Sequence, residues 1–168
     1  MKKIFLSLII IPFSGCNSEK NATIQERSME YLWNQIIELD GCTLGNEYDF
    51  NKQDKSIFND TVWVQFLSKP KDSLKTFLIH KLNITDTTKT HVCPLFVATE
   101  GELAIYGLQK VYQKNWYDFD EFKEYKLRNE IEKEPPYSNE DSFQIWLQRE
   151  VLQDSLNIEK MKNIWTQL

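Results

Sequence analysis

Glycine, proline, histidine and cysteine are all scarce in this chain: five, five, two and three among 168 residues. The five glycines are scattered, so no glycine-rich loop is present whose backbone N–H groups would cradle a phosphate. There is no CxxC, HExxH or GxSxG, and the zinc, redox and serine-hydrolase chemistries that those spacings carry have no support. With only His80 and His91, a histidine-rich metal site is excluded. Long apolar runs are missing too. A membrane-spanning helix needs roughly 20 apolar residues, and the longest run, Ile4 to Phe13, reaches about half of that. Basic charge is the minority sign, 20 Lys+Arg against 25 Asp+Glu. An acidic surface repels phosphate backbones, which argues against a general nucleic-acid binder.

What is present is concentrated at the amino terminus. Lys2 and Lys3 are followed by the apolar stretch Ile4 to Phe13 and then by Ser14-Gly15-Cys16. A basic start, an apolar run and small residues before a cut form the layout of a secretory signal peptide. A cysteine placed directly after the small pair resembles the lipobox of bacterial lipoprotein precursors, with Phe13 standing where that motif usually carries leucine. The resemblance covers residues 1–17. It implies cleavage before Cys16, a diacylglycerol on the Cys16 sulfur and a further acyl chain such as palmitate on the new amino terminus. It also implies an anchored protein of the bacterial cell envelope, facing the periplasm or the cell surface. On that reading residues 1–15 are the signal peptide, 16–23 a lipidated tether and 24–168 one domain. Loss of Lys2 and Lys3 with the leader leaves 18 Lys+Arg against 25 Asp+Glu, a net charge of −7.

With Cys16 carrying lipid, Cys42 and Cys93 remain. Cys42 follows Gly41 and Cys93 precedes Pro94, two positions that read as loops. In an oxidising compartment such a pair is a disulfide candidate, and closing that span would stabilise the fold by about 4 kcal/mol in the chain-entropy model. The alternative is two thiols buried as small apolar side chains.

Apolar residues recur at helical spacing over most of the mature chain. Met29, Leu32, Trp33, Ile36 and Ile37 make one stripe on a helix of about 22–40, closed by Asp40-Gly41. Phe58, Val62, Phe66 and Leu67 form a second stripe before Pro70. Leu74, Phe77, Leu78 and Leu82 form a third, with Asp72 or Ser73 as its cap. Thr99 and Glu102 have the spacing of a capping box, followed by Ala104, Gly107, Leu108 and Val111. Phe119, Phe122 and Tyr125 start a charged helix, Phe143 to Val151 mark another, and Ile158, Met161 and Trp165 the last. The expectation is an all-α bundle or irregular helical array of about seven helices. A short strand near 91–97, interrupted by Pro94, is its one exception.

His91, Glu100 and Glu102 are the most site-like cluster, with Cys93 beside them. Together these residue types are able to bind zinc, but the spacing matches no established zinc pattern, and Glu102 has a capping task. No residue is assigned as catalytic, metal-binding or cofactor-binding, and no cofactor is expected. Residues 118–141 carry nine acids against four bases. Trp116 and Tyr117 precede them, so Trp116, Tyr117, Asp118, Asp120 and Glu121 form an interaction candidate for a cationic protein partner. The competing reading packs Trp116 and Tyr117 under a loop beside a solvated acidic helix face.

Two functional classes follow. The absence of catalytic motifs and the acidic charge favour a lipid-anchored, non-enzymatic interaction module, with an immunity or inhibitor role against a secreted effector as a variant. The other class is a hydrolase of envelope polymers working through carboxylates or a metal. Oligomeric state is not legible.

Overall fold

The computed structural model describes residues 27–43, 56–93, 96–131 and 139–168. The leader, Cys16 and the tether lie outside the described residues. Local chemistry explains where most helices begin. Ser28 precedes α1 (Met29–Ile36) and its hydroxyl accepts from Tyr31 N–H. Asp60 caps α2 (Thr61–Leu67) by accepting from Val62 N–H at 2.8 Å. Asp154 does the same for α7 (Ser155–Thr166) through Leu156 N–H. Each side chain satisfies one of the N–H groups a helix start leaves without a partner. The third helix, α3 (Lys71–Lys81), starts differently. Pro70 occupies its cap position with no side-chain bond, and Asp72 sits inside the first turn, where a negative charge complements the helix dipole.

The all-α expectation is overturned by a three-stranded mixed sheet in the order β1-β2-β3. β1 (Gly41–Cys42) runs parallel to β2 (Thr87–Cys93), and β2 runs antiparallel to β3 (Phe96–Thr99). The chain is still mostly helical. β2 alternates correctly for a half-buried strand: Thr88, Thr90 and Val92 are buried while Thr87 and Lys89 are exposed. Threonine fills two of the buried positions, and its hydroxyls are satisfied by Ala98 O and Leu39 O. The first helix also ends sooner than Gly41 would place it. Ile37 is its C-cap, and Gly41 pairs with Thr90 in the sheet. Cys42 and Cys93 are therefore strand residues, not loop residues, with Cys42 opposite His91.

The remaining helices are α4 (Glu100–Tyr112), α5 (Lys123–Ile131) and α6 (Asn139–Trp146). α4 is the centre of the molecule: every residue from Gly101 to Leu108 is buried. α3 crosses it at Gly107, where an added Cβ would meet Leu78 Cδ1 at 3.1 Å. Burial on all sides explains why this helix lacks a polar face. Around it lie two groups of aromatic rings. Trp33, Trp63, Phe66 and Phe77 pack edge-on or tilted between α1, α2 and α3. Trp116 gathers Phe122, Tyr125 and Phe143 on the other side. Among the described residues, no helix is long and apolar enough to cross a membrane.

Candidate functional site

Among the described residues, the most unusual carboxyl group lies in the first turn of α4. Thr99 ends β3 and caps α4 at once. Its hydroxyl accepts from Glu102 N–H at 3.2 Å, and Glu102 Oε2 accepts from Thr99 N–H at 2.9 Å. This is the capping box expected from the sequence, but Glu102 does more than cap, because it is fully buried. Its second donor comes from far along the chain: Gln148 Nε2 reaches Oε2 at 3.1 Å and also Val97 O at 3.2 Å.

Gln148 sits on a π turn, Leu147–Val151, that follows α6. The turn is closed by Leu152 N–H donating to Leu147 O at 3.0 Å. Such widened turns re-aim side chains and are frequent at functional sites.

Among the described residues, Glu102 Oε1 meets no donor. Burial penalises its charged form, and the bonds from Thr99 and Gln148 offset only part of that. Its pKa is pushed up to about 7. A carboxyl that changes charge near neutral pH in a buried position is a marker of functional sites.

Beside it lies a cavity of about 240 Å³, walled by segment 82–85 after α3, the first turn of α4, the residues of the π turn and α7. A larger cleft of about 330 Å³ opens next to Thr43 and Phe58. Thr43 is where one run of described residues stops.

Glu100 and Glu102 are two residues apart but belong to different networks. Glu100 Oε2 accepts from Trp33 Nε1 at 2.7 Å and lies 3.7 Å from Lys81 Nζ. Lys81 also reaches Glu30 at 3.1 Å, so these contacts join α1, α3 and α4. His91 is not brought to either carboxyl. It pairs with Val97, while Thr87, four residues back along β2, pairs with Thr99. Among the described residues, no three of His, Cys, Asp and Glu converge to hold a metal. The side chain of Cys93 lies outside the described residues, and Cys42 Sγ lies 3.9 Å from Val92 O.

The structure buries Trp116, leaving it 1% exposed, so it is a core residue and not a surface anchor. Tyr117 is half-buried and stacks on Phe143 with centroids 3.7 Å apart. Asp118 pairs with Lys126, while Asp120 and Glu121 are exposed. Gln148 was not foreseen as a site residue. It lies 46 positions from Glu102 in a helix with an ordinary apolar stripe, and nothing local distinguishes it.

No protein-family model matches the chain, and no curated protein or solved structure matches it.

Proposed function

We propose that this chain is a lipid-anchored envelope protein whose mature part is a non-enzymatic interaction module for a cationic protein partner. The observation that carries the reading is the sequence of the leader: Lys2-Lys3, the apolar run to Phe13, and Cys16 directly after Ser14-Gly15. Cleavage before Cys16 and acylation of that residue tether the domain to a membrane. The acyl chains have to supply the attachment, since a net charge of −7 gives no attraction to anionic lipid. That same charge steers a basic partner toward the protein. Asp120, Glu121 and Glu124 are exposed on consecutive turns and provide a negative surface for docking. A disulfide between Cys42 and Cys93 belongs to this proposal, because export places both thiols in an oxidising compartment.

The test is expression of the full chain and of Cys16→Ser in a bacterium fed a labelled fatty acid. The expected result is label in the membrane fraction for the native chain. Cys16→Ser should carry no label and keep the uncut leader. Label-free native protein, or equal fractionation of the two, overturns the anchor.

A further inference from the structure

The cavity beside Glu102 has a charge balance that specifies its ligand. Among the described residues of its walls Glu102 is the one ionisable group, with no Lys, Arg, His or Asp beside it. Leu82, Ile84, Leu152 and Ile158 supply an apolar lining, and Asn83, Thr85 and Gln153 add neutral polar groups. Segment 82–85 is also the carboxyl end of α3, an 11-residue helix whose dipole places partial negative charge there. Leu82 O and Ile84 O crowd against Gly101, with Gly101 N–H donating to Ile84 O at 3.0 Å. The positive end of α4, which would favour an anion, is already complemented by its own capping carboxyl. What remains is a negative site bordered by a buried acceptor, Glu102 Oε1, that no donor reaches among the described residues.

We propose that this cavity binds a small primary alkylammonium ion, its nitrogen donating to Glu102 Oε1 and its alkyl chain lying among Leu82, Ile84, Leu152 and Ile158. A divalent metal fits poorly, because one carboxylate without further charged ligands is too few for a hard cation. An anion meets no cationic side chain among the described residues of these walls. The ammonium supplies both things the carboxylate lacks, a hydrogen-bond donor and an opposite charge in a poorly solvated place. At ~30 Å³ per water, the 240 Å³ volume holds about eight waters, enough for a four- or five-carbon amine. Glu102 shows no surface to bulk water, so the ligand reaches it by displacing a neighbour. Gln148 is half-buried and bonded to that carboxyl, and rotation of its side chain opens the way. The chemistry of the cavity is independent of lipid at Cys16.

The test is a titration of the isotope-labelled full chain with n-butylammonium, 1-butanol and butyrate, followed by NMR at the Thr99 backbone amide and the Gln148 side-chain amide. Butylammonium should shift both signals saturably, at least about tenfold tighter than 1-butanol, a difference of ~1.4 kcal/mol. Butyrate should leave them unmoved. Glu102→Gln should weaken butylammonium by about tenfold and leave 1-butanol unchanged, since only the charge pairing is lost. Leu152→Trp, which fills the apolar part, should weaken both. Butylammonium binding no tighter than 1-butanol overturns the proposal, as does an absence of saturable shifts or an unchanged affinity in Glu102→Gln. The comparison of ammonium with alcohol on the native chain decides the matter even where a variant does not fold.

Discussion

Glu102 ties its own ionisation to the stability of the fold. A carboxyl whose pKa rises from the usual 4.5 to about 7 in the folded chain binds a proton more tightly folded than unfolded. Its contribution is therefore fully present below pH 4.5 and is lost as pH rises through about 7. The difference amounts to about 3 kcal/mol. Glu102→Gln keeps a capping side chain at the same position and removes the titration. It should be more stable than the native chain at about pH 9 and close to it at about pH 5, as read by urea unfolding at the two values. An unchanged gap between the proteins across that range would remove burial as the cause of the shift. Gly101 makes a second residue-scale prediction. A Cβ there would lie 2.6 Å from Leu82 O, a backbone atom that cannot swing away. Gly101→Ala should destabilise by about 1–3 kcal/mol, with a matching fall in urea midpoint. The Thr99–Glu102 box was legible from four consecutive residues. The burial of Glu102 was not, because it depends on Gln148 and on the segment after α3, both distant in sequence.

At the scale of elements, helices were legible wherever an apolar stripe recurs every three or four residues, as in α1, α3 and α7. Of the sheet only a short strand near 91–97 was expected, overlapping the end of β2 and the start of β3, and the rest was missed for a physical reason. Its inner positions at 88 and 90 are threonines, which read as polar in a hydropathy pattern yet pack like valine and satisfy their hydroxyls internally. A search for β-branched residues at alternate positions, without regard to polarity, would have found Thr88, Thr90 and Val92. Thr90 bonds Leu39 O at 3.0 Å, beyond the end of α1, so it ties the sheet to that helix. Thr90→Val keeps the shape and leaves that bond unmade, and should cost about 1 kcal/mol in thermal or urea unfolding. Thr99→Ala removes the cap of the central helix and should also cost about 1 kcal/mol, with Thr99→Ser restoring most of it. A full loss in the serine variant would mean that the threonine methyl group, and not its hydroxyl, supplies the stability.

For the whole molecule, the dominant property is an excess of acidic charge on a small domain. If that charge recruits a basic partner, the association rate should fall steeply between low and physiological salt while dissociation changes little. Stopped-flow measurement with a lysine-rich basic protein as partner checks this, and a salt-independent association rate would move the contact away from the acidic surface. Charge of this kind was fully legible, since it is a count over the chain. The way the core is shared was not, because it arises from Trp33, Trp63 and Trp116 meeting partners on other elements.

The position of α4 has one more consequence, in the time domain. A helix buried from Gly101 to Leu108 has no face from which it can peel away while its neighbours stay in place. Its amide hydrogens should exchange with deuterium only when the entire molecule opens. Those of α5, whose Lys123, Glu124, Lys126 and Leu127 are exposed, should exchange through smaller local openings. Deuterium uptake along α4 then becomes a clock for global unfolding, running without denaturant and readable while the protein is working.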